Sequence, residues 1–322
     1  MRKKGYLIGI LMLQILLSSC AKDKLKESNE KPLQMPETEK GENFRDTTEC
    51  LKNVKNTEMI YETEEAIEEK KEMLNFVDVF GEEYQVEILP EVEKHSYQLE
   101  AFHHNGDLLS YEGDERYNYR LGIDVSHHQG TIDCKMVKSS GIDFAFLRIG
   151  YRGYGETGNV CLDQQFFYNI ENAQKVGIDV GVYFFSQAIN EEEAKEEAEF
   201  VIKNLEGYEL QLPVVYDPES ILDAEARTDS VTGEQFTKNT IVFCDLIKEA
   251  GYEPMIYSNM LWEAYQYDLT QLTHLPIWYA DYEAEPQTPY YFTFWQYTNE
   301  GSVNGVAGIV DMDIELIPTE KN

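Results

Sequence analysis

The sequence predicts an α/β protein whose main body is a TIM-like (β/α) barrel. Three observations carry that expectation. From Tyr119 onward, strand-like and helix-like segments alternate over roughly 200 residues, the pattern of parallel βαβ units. The helical segments end repeatedly at glycine: Gly141, Gly177 and Gly251 fall at helix stops, where a left-handed residue is needed. One apolar, β-branched run, LPVVYDPES at 212–220, ends in two carboxylates one residue apart. A barrel of this kind runs about 200–250 residues as one domain.

The elements follow in order. Residues 1–20 read as a lipoprotein signal peptide: Arg2, Lys3 and Lys4 precede an apolar run from Tyr6 to Leu17 that is short for a membrane span. Small residues then lead to Cys20, as in a bacterial lipobox. Cleavage before Cys20 and lipidation of its thiol are expected; an uncleaved anchor is the alternative. Both place the body outside the cytoplasm, anchored to the membrane. Residues 21–75 are rich in Lys and Glu with two aromatics, Phe44 and Tyr61. They read as a solvated, largely disordered tether. Residues 76–114 alternate apolar and polar positions around Gly81, Pro90 and Asn105-Gly106. They read as a small antiparallel unit of three or four strands, with a hairpin at Asn-Gly.

The barrel spans residues 119–318. YRLGIDVS, FAFLRIGY, IDVGVYFFS, LPVVYDPE, YEPMIYS, PIWYADY and FTFWQYT read as its strands. IDCKMVKSSG, FFYNIENAQKVG, NEEEAKEEAEFVIKNLEGY and EQFTKNTIVFCDLIKEAG are the helical segments between them. The acidic run NEEEAKEEAE reads as a solvated helix face.

In such a barrel the chemistry sits at the C-terminal ends of strands. That rule selects Asp124, Arg148, Tyr183, Asp217, Glu219, Trp278, Tyr282, Trp295 and Gln296. Asp217 and Glu219 stand at i and i+2, on the same face of a strand and about 6.5–7 Å apart at Cα. Paired carboxylates at such separations are the working parts of most glycosidases. Aromatic faces that stack on sugar rings complete a carbohydrate-binding set. Arg148 suits either a substrate carboxylate or an ion pair with a barrel acid. Of His127 and His128, one is expected to be packed under the mouth and the other exposed.

Several classes are excluded. The net charge of −33 argues against nucleic acid and anionic lipid surfaces, which need basic patches. There is no phosphate-binding glycine loop, no His-x-x-x-His pair and no Gly-x-Ser-x-Gly elbow. Cys50, Cys134, Cys161 and Cys244 are scattered without a Cys-x-x-Cys pair. They read as mostly buried thiols rather than a zinc site, although their number allows two bridges. No cofactor or metal is expected, and nothing demands more than a monomer.

GIDVSHHQGTID at 122–133 resembles the opening strand of glycoside hydrolase family 25, the Chalaropsis-type lysozymes or N-acetylmuramidases. FAFLRIGYRG, GVYFFSQA, PVVYDPE, IWYADY and WQYTNEGSVNGVAGIVDMDIE resemble that family's later strands in order. The resemblance implies cleavage of the β-1,4 bond between N-acetylmuramic acid and N-acetylglucosamine in peptidoglycan glycan strands. It places the general acid on Glu219 and the second carboxylate on Asp217, with Asp124 and Asp311 as further site acids. Two mechanisms stay open: substrate assistance by the 2-acetamido oxygen, with Asp217 orienting its N–H, and inversion, with Asp217 as base to a water. Three positions depart from the family pattern: Pro218 between the two acids, Cys134 where Trp is common, and Asp313 where Asn is more frequent. A non-catalytic glycan-binding protein on the same barrel is the alternative of a different class.

Overall fold

The computed structural model describes residues 71–221 and 225–319. The expected signal peptide, Cys20, Cys50 and nearly all of the tether lie outside them. Structure begins slightly earlier than the sequence suggests. Strand β1 (Met73–Val77) pairs antiparallel with β2 (Glu83–Glu87). The turn between them is held by Asp78, whose carboxylate accepts the N–H groups of Phe80 and Glu82. A second hairpin joins β3 (Phe102–Asn105) to β4 (Leu108–Tyr111). It turns at Asn105-Gly106, where Gly106 takes φ 63°, the left-handed conformation of a tight hairpin. The expected single antiparallel unit is therefore two separate hairpins. The segment between them runs along the main domain instead, where Lys94 bridges Tyr290.

The main domain is a closed barrel of eight strands. They are β5 (Tyr117–Val125), β6 (Phe144–Arg152), β8 (Asp179–Ser186), β9 (Val214–Pro218), β10 (Pro254–Asn259), β11 (Ile277–Ala280), β12 (Phe294–Gly301) and β13 (Val310–Pro318). A short β7 (Val160–Leu162) lies antiparallel along the edge of β6. Neighbours from β5 to β12 run parallel. Strand β13 runs antiparallel to both β12 and β5, and its pairing with β5 closes the ring.

Helices follow the earlier strands only: α1 (Cys134–Ser139), α2 (Phe166–Lys175), α3 (Glu191–Asn204), α4 (Gly233–Glu249), α5 (Met260–Tyr265) and α6 (Leu269–Leu272). Their N-termini are capped by the side chains of Asp133, Asn190, Thr232 and Asn259, among others, each satisfying otherwise unpaired N–H groups. Gly141, Gly177 and Gly251 sit just past α1, α2 and α4 with positive φ. In the acidic run, Glu197 faces inward and is fully buried against Arg152 and Ser186; only the rest of that face is solvated.

No helix follows β11 or β12, so strict strand–helix alternation stops there. The N-terminal hairpins occupy the uncovered side. The Phe102 ring meets Trp295 edge-on at 5.0 Å. The Tyr97 hydroxyl donates to the Phe292 carbonyl, and the Tyr290 hydroxyl accepts the Leu89 N–H. This explains why a segment outside the barrel is apolar at alternate positions: its inward face covers strands that lack a helix.

Period-2 alternation along each strand makes two cores. The outer one lies between the barrel wall and its cover. The inner one is small and aromatic: Phe144, Phe146, Trp278, Tyr257 and Phe294 fill the barrel with Val215 and Met255. Gly122 and Gly181 make room for it. A Cβ at Gly122 would lie 2.1 Å from the Phe144 ring, and one at Gly181 would lie 2.5 Å from Phe146. Cys134, Cys161 and Cys244 are free thiols; the first and last are buried and Cys161 is half-exposed.

Candidate active site

The inward positions at the C-terminal ends of the strands form one cluster of acids above the aromatic core. Asp124 on β5 and Asp217 on β9 are buried, at 4% and 3% exposure. Glu219 follows β9 directly and is half-buried. On β13, Asp311 stands in register opposite Asp124. Asp313 lies one layer deeper on the same face and is fully buried, accepting the Trp278 indole N–H at 2.8 Å. The two late aspartates thus divide: Asp311 is at the mouth and Asp313 holds the floor.

Two carboxyl pairs influence each other electrostatically, Asp217 with Glu219 and Asp311 with Asp124. Burial and the adjacent Glu219 raise Asp217 well above the usual carboxylate range. Burial also raises Glu219, although Asp217 and the nearby Arg148 oppose the shift. Burial first, then Asp311 and Asp313, raise Asp124. Asp311 is pushed up to about 7 by burial and by Glu219. Like charges in a low-dielectric mouth disfavour full ionisation, so the cluster retains protons near neutral pH. Among the described residues no donor reaches Asp217 Oδ1, which is buried.

Polar side chains fix the acids. Gln296 donates to Asp124 at 2.7 Å and accepts the hydroxyls of Tyr257 and Tyr282, each at 2.9 Å. Burial and the surrounding acids hold the phenols of Tyr183, Tyr257 and Tyr282 above their ordinary range, so they remain donors. Tyr282 is 38% exposed. Gln187 donates to the Glu219 carbonyl at 2.6 Å and steadies the chain after β9. Pro218 still pairs with Ser186 as the last residue of that strand.

Three expected binding residues take other places. Trp295 faces outward from the barrel wall; its ring is fully buried against Phe102 and its indole N–H donates to the Asp281 carbonyl at 2.8 Å. It packs the outer core and does not reach the mouth. Trp278 faces inward but is 1% exposed, stacked on Phe146 beneath the acids. Arg148 is paired with Asp163 at 2.9 Å and contacts the His127 ring. Its charge is already compensated, so it is an ion-pair partner near the acids rather than a free anion receptor. His128 is exposed, and His127 is half-buried rather than packed away under the mouth. Tyr257 is a site residue that strand-end reasoning passed over. It stands at the end of PMIYS with no charged neighbour to mark it, although it alternates inward with Met255.

With this geometry in place, comparison with known proteins decides the family. The model of glycosyl hydrolases family 25 matches residues 123–306, more than half of the chain. The chain belongs to this family. An autolytic lysozyme of Clostridium acetobutylicum is 27% identical over 194 residues, covering 60% of this chain and 54% of the relative. A bacterial lysozyme from Streptomyces coelicolor is 28% identical, with TM-score 0.51 over 60% of this chain and 90% of that one. The modular autolysin LytC from Streptococcus pneumoniae, in complex with a synthetic peptidoglycan ligand, is 25% identical, with TM-score 0.54 over 74% and 56%. This family 25 chain therefore spans about half the length of the first curated relative it matches. The family model's match, residues 123–306, lies on the barrel, and the two N-terminal hairpins precede it.

The raised acids couple stability to pH. Between the ordinary aspartate range near 3.8 and about 7, the folded protein holds a proton at Asp311 that the unfolded chain releases. Stability therefore declines as pH rises through that window. Thermal midpoints measured from pH 4 to 8 should fall in wild type and flatten in Asp311→Asn. A midpoint that rises over that range in wild type would contradict the assignment.

Proposed function

We propose that this protein is a lysozyme-type glycosidase that cleaves the β-1,4 bond between N-acetylmuramic acid and N-acetylglucosamine of peptidoglycan. Family membership supports the reaction class. The lysozyme and autolysin relatives, one of them in complex with a peptidoglycan ligand, support the substrate. The observation that carries the mechanism is the placement of Asp217 and Glu219 together at the C-terminal end of β9. Glu219, raised by burial, is the general acid that protonates the leaving oxygen. Asp217 is the second carboxylate. We favour the sugar's own 2-acetamido oxygen as nucleophile, with a water activated by Asp217 as the alternative. The buried Asp217 Oδ1, which has no donor among the described residues, accepts the acetamido N–H and orients it. Asp124 and Asp311 bind sugar and keep the local field negative, and Tyr183 and Tyr282 line the groove.

The protein acts as a monomer outside the cytoplasm, held to the membrane by lipid on Cys20. The basic, apolar and small-residue succession of residues 1–20 motivates that placement. A Cys20→Ala variant should leave the membrane fraction or remain unprocessed. Recovery of Met1 or Arg2 as the N-terminus of the mature membrane-bound form would refute it.

Glu219→Gln should keep the fold and lower lysis of purified walls by about 10²–10⁴-fold. Asp217→Asn should also lose most activity. A Glu219→Gln rate within about threefold of wild type, against that expectation, would remove Glu219 from the role.

The products test the bond and the nucleophile. Borohydride reduction of the digest followed by mass spectrometry should show muramitol at new reducing ends; glucosaminitol would mean a glucosaminidase on this barrel. Walls de-N-acetylated at muramic acid should resist cleavage, because an amine offers no carbonyl oxygen. Efficient cleavage of such walls would exclude substrate assistance and restore water, with Asp217 as its base.

A further inference from the structure

The family match begins at residue 123, so it does not cover the N-terminal hairpins. Yet the first hairpin is hydrogen-bonded to the rim of the candidate site. The Val77 N–H donates to Gln287 Oε1 at 2.8 Å, and Gln287 Nε2 donates back to the Val77 carbonyl at 3.0 Å. The backbone N–H of Gln287 donates to the Asp281 carboxylate at 2.9 Å, and its side-chain amide lies 3.2 Å from the same group. The Tyr279 hydroxyl holds that carboxylate from another side at 2.7 Å. The next residue is Tyr282, whose hydroxyl donates to Gln296, which in turn donates to Asp124. A continuous path thus runs from the Val77 backbone through Gln287 and Asp281 to Tyr282, Gln296 and Asp124. The second hairpin grips the same loop, where His104 Nε2 meets the Ala284 carbonyl at 2.9 Å.

The loop needs such a hold. It connects β11 to β12 without a helix, and loops of that kind move unless tied down. Tyr282 presents an exposed ring to the cleft while its hydroxyl helps aim a buried acid. A ring fixed before substrate arrives avoids the ordering cost at binding.

We propose that Gln287 is a positioning residue: by joining the first hairpin to Asp281 it fixes the loop that carries Tyr282, which makes the N-terminal hairpins a working part of the glycan site. The inference rests on the glycosidase reading. Gln287 itself touches no acid of the catalytic cluster and acts through Tyr282.

The test uses the full chain and a soluble, uncrosslinked glycan of alternating N-acetylmuramic acid and N-acetylglucosamine. Gln287→Ala should lower kcat/KM about tenfold, chiefly through KM, as expected for coupled neighbours. Tyr282→Phe should give a similar loss. The double variant should be no worse than the poorer single, because both break one path. Gln287→Glu adds a readout that a merely structural role would not move. At pH 7 its carboxylate faces Asp281 and the Val77 carbonyl and cannot donate. At pH 5 a protonated Glu can restore that bond. Its rate relative to wild type should therefore recover as pH falls. Multiplicative losses in the double variant, or a Gln287→Ala rate within about twofold of wild type, would overturn the inference and leave the glycosidase reading standing. A Gln287→Glu deficit independent of pH would also overturn it. Absence of hydrolysis by the unaltered protein would overturn the glycosidase reading, and this inference with it.

Discussion

Five carboxyl groups gather in the barrel, four at its mouth and Asp313 a layer below, and the nearby guanidinium of Arg148 is already engaged by a sixth acid, Asp163. Such a cluster is unfavourable in water-poor surroundings unless protons stay bound or partners arrive. Most features of the site follow from managing that constraint. Burial raises both Asp217 and Glu219. Asp124 takes a neutral amide donor from Gln296 instead of a cation, so its charge is steadied without being cancelled. Asp313, deepest of the five, receives an indole N–H. A cation in any of these places would lower the acids into their ordinary range and remove the proton that a general acid has to deliver.

The barrel meets this constraint with stiffness. Its interior is packed by large aromatic rings that Gly122 and Gly181 admit, and those rings form a dry floor under the acids. The outer wall is stiffened in two ways. Helices cover the earlier strands, and the second hairpin covers β12, which carries no helix. Cover and site are consequently the same object on one side, because the loop between β11 and β12 is held by the hairpins and also carries Tyr282.

Much of this was legible in the chain. Strand and helix alternation, the glycine stops and the Asn105-Gly106 turn all report local backbone preference, and the structure follows them closely. LPVVYDPES placed its acid pair at a strand end, a weak pattern alone because Asp and Glu are common just past strands, and the motifs of the other strands gave it weight. The failures are equally physical. Trp295 and Gln296 are adjacent in one strand, so they must point to opposite faces; both were expected at the mouth, and only Gln296 is there. Trp278 faces inward, but Ala280 lies one inward position nearer the mouth, which leaves the indole a layer too deep. Glu197 belongs to a run that looks wholly solvated, and only the placement of Arg152 across the chain explains its burial. The separation of the N-terminal segment into two hairpins depends on surfaces of the barrel that no local pattern encodes.

The reversed last strand has a consequence for how the molecule comes into being. The seam between β5 and β13 joins the beginning and end of the domain: Arg120 and Glu315, 195 positions apart, bond across it. Contacts of such long sequence separation form late, since the loop they close is entropically costly. Asp311 rides on that final strand and meets Asp124 only when the seam shuts. A chain still emerging from the ribosome, or one cut short near its end, holds an incomplete set of acids. Completion of the acid cluster is thereby tied to closure of the seam, so the two ends of the barrel finish the site together.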